Sequence, residues 1–124
     1  MTEEIGGAAT KTFQPGEVIF REGDDTQGEA YLVHAGTVEA RRRVDGTERL
    51  LNTLVKGDLL GEVALFREGP HSVTATAIEQ VTLVVIPADR LENMIRANPQ
   101  LALGLIRQLA RMAAGKDSSQ GSES

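Results

Sequence analysis

The chain has 124 residues with 13 Lys and Arg against 18 Asp and Glu, a formal charge of −5, and its 40% hydrophobic and 25% charged content is that of a folded domain. That length suits one hydrophobic core and is too short for two ordinary domains, and the negative balance offers no positive field to gather nucleic-acid phosphates. The lack of cysteine excludes disulfides, thiolate metal sites and a cysteine nucleophile.

The start, Met1-Thr2-Glu3-Glu4, is acidic, unlike the basic and then apolar opening of a secretory signal. No apolar run approaches a membrane span, so a cytoplasmic location without membrane contact is expected. Residues 1–12 are small and polar and are expected to be mobile; a single folded domain is expected over residues 13–114, with a disordered tail over 115–124.

Within the domain, glycines separate short runs rich in Val, Leu, Ile and Thr, the pattern of strands joined by tight turns. The expected strands are Val18 to Arg21, Ala30 to His34, Thr37 to Arg43, Arg49 to Leu54, Ser72 to Ala77 and Thr82 to Ile86. Arg41-Arg42-Arg43, flanked by Glu39 and Glu48, reads as a solvated strand end leading into a hairpin turn at Asp45-Gly46. The segment Gly57 to Ser72 reads as strand, glycine, one short helical turn, loop and strand. In Ser72 to Ala77 an apolar face alternates with a hydroxyl-bearing face, over which a polar pocket is expected, whereas Leu83-Val84-Val85-Ile86 is apolar on both faces and reads as a covered strand.

After Pro87 the period changes from two to about 3.6. Leu91, Met94 and Ile95 form one helical stripe that should stop at Asn98, before Pro99. A second helix is expected at once, with Asn98 as N-cap, Pro99 as first residue, an apolar face of Leu101, Leu105, Ile106, Leu109 and Met112, and Gly115 as its stop. The expected fold is therefore mainly β, a jelly-roll-like antiparallel roll with a short helix near residue 62 and two C-terminal α-helices.

The stretch Gly61-Glu62-Val63-Ala64 is the richest in chemistry. Gly61 lets backbone approach a ligand closely, and a helical turn starting at Glu62 presents free N–H groups to an anion. A glutamate beside a phosphate repels it but accepts a hydrogen bond from a sugar hydroxyl, so phosphate plus ribose is the natural ligand.

With these residues in view, the chain resembles the cyclic-nucleotide-binding domain of catabolite-activator-like bacterial regulators, of the regulatory subunit of the cyclic-AMP-dependent kinase and of nucleotide-gated channels. The resemblance runs from about Phe13 to Met112 through Pro15-Gly16-Glu17-Val18-Ile19-Phe20-Arg21-Glu22-Gly23-Asp24, Tyr31-Leu32-Val33, Gly36-Thr37-Val38-Glu39 and Gly57-Asp58. It implies that Gly61, Glu62, Val63 and Ala64 are the phosphate-binding cassette, with backbone amides on the cyclic phosphate and Glu62 on the ribose 2′-hydroxyl, and Ser72 lining the phosphate end. It also implies a sensory or regulatory module for cAMP or cGMP, not an enzyme, signalling to a protein partner through the last helix, which is where the family places either its lid or its dimer contact. After the proline that corresponds to Pro70 the family has an arginine, and this chain has His71. Replacing a bidentate, permanently charged donor by an imidazole removes about one charge-assisted hydrogen bond, about 1.5–3 kcal/mol or about ten- to a hundredfold in affinity.

Rival chemistries fit less well. A cupin-type metal enzyme needs several converging His and carboxylate ligands, and only His34 and His71 exist, on separate segments. A serine hydrolase needs serine beside histidine, whereas Ser72 and His71 as strand neighbours point to opposite faces. About a dozen residues follow Met112, too few for a DNA-reading domain, so no direct DNA binding is expected of this chain. Two alternatives to a cyclic-nucleotide sensor stay open: a roll that binds another small anion through His71, and a ligand-free protein-interaction adaptor.

Overall fold

The computed structural model describes residues 4–5, 8–61, 69–104 and 106–107. Among them the strands are β1 (Glu4–Ile5), β2 (Ala8–Phe13), β3 (Val18–Phe20), β4 (Glu29–Ala35), β5 (Val38–Val44), β6 (Thr47–Leu54), β7 (Leu59–Leu60), β8 (Thr74–Ala77) and β9 (Val81–Pro87). They form a five-stranded sheet in the order β1-β2-β9-β4-β7 and a four-stranded sheet in the order β3-β8-β5-β6, with antiparallel pairings throughout. This is the expected mainly antiparallel β-roll.

The core joins the two sheets through Tyr31, Val33, Leu60, Val81, Leu83 and Val85 of one and Phe20, Val38, Ala40, Leu54, Ala75 and Ala77 of the other. Fully burying a Leu, Ile, Val or Phe side chain contributes about 1.5–3 kcal/mol, so this shared layer is the main attraction between the sheets. The run apolar on both faces is β9, which lies inside its sheet between β2 and β4, with Val81, Leu83 and Ile86 at 0% exposure.

Three turns repeat one device. In Gln14-Pro15-Gly16-Glu17, Arg21-Glu22-Gly23-Asp24 and Val55-Lys56-Gly57-Asp58, the fourth N–H donates to the first carbonyl at 3.0, 3.0 and 2.9 Å. The fourth carboxylate accepts in return from the first N–H, at 2.6, 3.1 and 2.9 Å. The third residue has φ of +88°, +93° and +95°, which glycine takes without strain, so each Gly-Glu or Gly-Asp pair encodes a closed turn. At Asp45-Gly46 both residues have positive φ, +52° and +78°, and the strands meet at Val44 and Thr47, as expected for a two-residue hairpin. The arginine cluster lies on this hairpin: Arg41 pairs with Glu39 at 2.9 Å, Arg43 lies opposite Glu48, and Arg42 and Arg43 are exposed.

Two expectations are corrected. The segment expected to be mobile through residue 12 contains β2, which pairs with Val81–Val84 of β9 and buries Thr10 to 8% exposure. An interior strand such as β9 needs neighbours along both edges, and β2 supplies the second. The strand expected from Ser72 starts at Thr74, so His71 and Ser72 precede the ladder.

The roll through Leu91 and the segment from Glu92 form two compact units. A 3₁₀ turn at Ala88–Arg90 ends the first and leads into the α-helix Leu91–Ala97. Residues 99–104 and 106–107 are helical, and the N–H of Gln100 donates to the Asn98 side chain at 3.2 Å, the expected cap. The expected helical turn near residue 62, Leu105, Leu109, Met112 and the stop at Gly115 lie outside the described residues. Among the described residues no helix is long and apolar enough to cross a membrane.

Candidate functional site

His71 is reached from three directions. Its N–H donates to the Asp24 carbonyl and its own carbonyl accepts from the Gly23 N–H, each at 2.8 Å, so the Arg21–Asp24 turn grips its backbone from both sides. Its imidazole is buried, 5% exposed, and lies flat on Phe20 with ring centroids 3.6 Å apart and planes 6° from parallel. Phe20 in turn faces Tyr31 at 6.4 Å and 24°, which makes a row of three rings leading into the core.

Gly61 closes the remaining edge. A Cβ added there would lie 3.3 Å from His71 Cε1 and 3.5 Å from Phe20 Cε2, so the backbone runs along the common edge of the two stacked rings. Its φ of +75° is a second reason for glycine. The sequence led us to expect close approach of Gly61 to a ligand; the structure adds close approach to the side chains beneath. The Cε1 corner of the imidazole, between its two nitrogens, is thus the part of His71 that a side chain at Gly61 would meet.

The electrostatics are mixed. Burial pushes the His71 imidazole below its usual 6.5, and the negative charges of Asp24 and Asp25 oppose that displacement. The ring is therefore neutral at pH 7. Tyr31 is pushed up to about 12, first by burial and then by the charge and the hydrogen bond of Glu29, which accepts from its hydroxyl at 3.3 Å, so the phenol stays protonated.

Of the sequence-derived site residues, Gly61 and His71 are brought together, and Ser72 is half-buried beside His71. Glu62, Val63 and Ala64 lie outside the described residues. The hydroxyl face expected under a polar pocket has a structural use at one position, where the N–H of Glu22 donates to Thr74 Oγ1 at 2.9 Å and ties the turn to β8. Phe20 and Tyr31 had no role assigned from sequence. Their alternation marks them only as core residues, and no local pattern relates Phe20 to His71.

Residues 10–98 match the family model described as the cyclic nucleotide-binding domain. The CRP-like cAMP-activated global transcriptional regulator of Mycobacterium tuberculosis is 36% identical over 110 residues, 84% of this chain and 49% of the relative. The crystal structure of the Thermus thermophilus catabolite activator protein superposes with a TM-score of 0.74 at 33% identity, over 89% of this chain and 52% of that one. The regulatory domain of Toxoplasma gondii PKA, solved with cAMP, matches 68% of this chain and 32% of its own with a TM-score of 0.62 at 28% identity. The chain belongs to the cyclic nucleotide-binding domain family, and it spans about half the length of the bacterial regulators it matches.

Proposed function

We propose that this chain is a regulatory domain that binds a cyclic nucleotide, cAMP or cGMP, and reports it through its C-terminal helix to a protein partner. Backbone amides at Gly61 and Ala64 hold the cyclic phosphate, Glu62 accepts from the ribose 2′-hydroxyl, Val63 completes the cassette, and His71 and Ser72 form the phosphate end. The observation that carries this reading is the placement of His71: a buried imidazole whose Cε1 corner lies against Gly61, the glycine from which the proposed cassette runs on.

The proton balance follows from that burial. A phosphate at His71 favours imidazolium, whereas the ligand-free fold favours neutral imidazole, so binding takes up a proton and strengthens as pH falls toward the free histidine's range. Relatives named as cAMP-activated or solved with cAMP support the choice of ligand. The mechanism of output is a population shift, in which the ligand favours the arrangement where the last helix covers it.

Calorimetric titration with cAMP and cGMP near pH 6 and near pH 8 tests this. The expected result is tighter binding at the lower pH, a gain of about tenfold or more with His71→Arg and a comparable loss with Glu62→Ala. Binding restored only by His71→Arg would indicate a pocket turned to another anion. Silence from wild type and both variants would favour the ligand-free adaptor.

A further inference from the structure

We infer that Phe20 is the positioning residue of the anion site: it sets the orientation in which His71 meets the phosphate. This rests on the cyclic-nucleotide reading of the site and names the residue on which that reading's departure from the usual arginine depends.

An arginine reaches a phosphate at the end of a long side chain and needs no support for its charge. A histidine is short, and its two nitrogens serve an anion only when the ring plane is fixed. Here the turn Arg21–Asp24 fixes only the backbone of His71, through the bonds to Gly23 and Asp24. The ring plane is set by Phe20, whose face covers one side of the imidazole at 3.6 Å and 6°. Phe20 itself does not shift freely, being 8% exposed and part of the core layer shared by the two sheets.

The stack also suits the charged state. An imidazolium over an aromatic face gains a cation–π attraction that a neutral imidazole lacks, so Phe20 favours the form of His71 that an arriving phosphate selects. Asp24 and Asp25 act in the same direction and burial acts against it. Along the edge that Gly61 closes, the absence of a side chain leaves the Cε1 corner of the ring beside backbone.

A double-mutant cycle on the full chain decides the matter, with cAMP as the probe and affinities read by calorimetry near pH 6. Phe20→Leu is expected to weaken binding about three- to tenfold in the wild-type background and by less than about twofold in the His71→Gln background, because the stack is already lost there. Phe20→Met, which fills the core with a flexible apolar chain, should reproduce Phe20→Leu and replaces it if the leucine variant folds poorly. Equal losses in both backgrounds would mean that Phe20 serves only the core, and the inference would be overturned while the cyclic-nucleotide reading stood. Wild-type protein that binds no cAMP would instead remove the parent reading, and this inference with it.

Discussion

On the proposed reading His71 answers to two opposed demands, burial in the ligand-free fold and contact with an anion in the bound one. In the free fold its pKa lies below the 6.5 of an exposed imidazole, first because it is desolvated. Below that pH the unfolded chain binds more protons than the folded one, so the stability this group contributes is fully present above 6.5 and is lost as pH falls through the folded value. Denaturant midpoints of the ligand-free protein should therefore fall between about pH 7 and about pH 5, and His71→Gln should flatten that part of the curve; identical slopes for both proteins would contradict the assignment. Gly36 is another residue whose identity is dictated by its surroundings. Its φ is +93°, and an added Cβ would collide with the Gln80 carbonyl oxygen and come within 2.8 Å of Val81 Cγ2. Gly36→Ala should cost at least about 2 kcal/mol in equilibrium unfolding, and a variant as stable as wild type would show that this corner rearranges.

At the scale of elements, local chemistry decides most boundaries. Asn98 ends one helix and begins the next: its N–H donates to the Met94 carbonyl at 2.9 Å, and its side chain accepts from Gln100. Asn98→Ala should cost about 1 kcal/mol of helix stability, seen as faster amide exchange at Gln100 and Leu101, whereas unchanged exchange there would mean the cap is idle. Such features were legible because they are local. Asp45-Gly46 announces its hairpin, Pro99 announces its helix, and the run from Leu83 to Ile86 announces a strand covered on both faces. Strand β2 was not legible, because Ala-Ala-Thr-Lys-Thr-Phe has almost no apolar alternation and becomes a strand only by pairing with β9. A covered strand does imply a neighbour on each edge, and that was the available clue. The candidate site divides the same way. Gly61 and His71 were marked by motif and proline, but the stack of His71 on Phe20 joins distant segments and leaves no trace in local sequence.

For the molecule as a whole, the roll is a scaffold that brings the turn at Arg21–Asp24, the strand end at Phe20 and Gly61 to one place at His71. On the proposed reading, a small ligand there alters a helix elsewhere. If the C-terminal helix covers the bound nucleotide, amide exchange over residues 99–112 should slow under saturating cAMP; exchange unchanged by ligand would rule out that lid while leaving binding intact. The central claim is that the buried histidine meets the cyclic phosphate, and the most direct measurement is the titration of the His71 imidazole by NMR with and without saturating cAMP. The expected midpoint lies below 6.5 in the free protein and moves upward in the complex, because the phosphate stabilises the imidazolium. A midpoint that stays in place while cAMP binds would put the anion elsewhere and contradict the account.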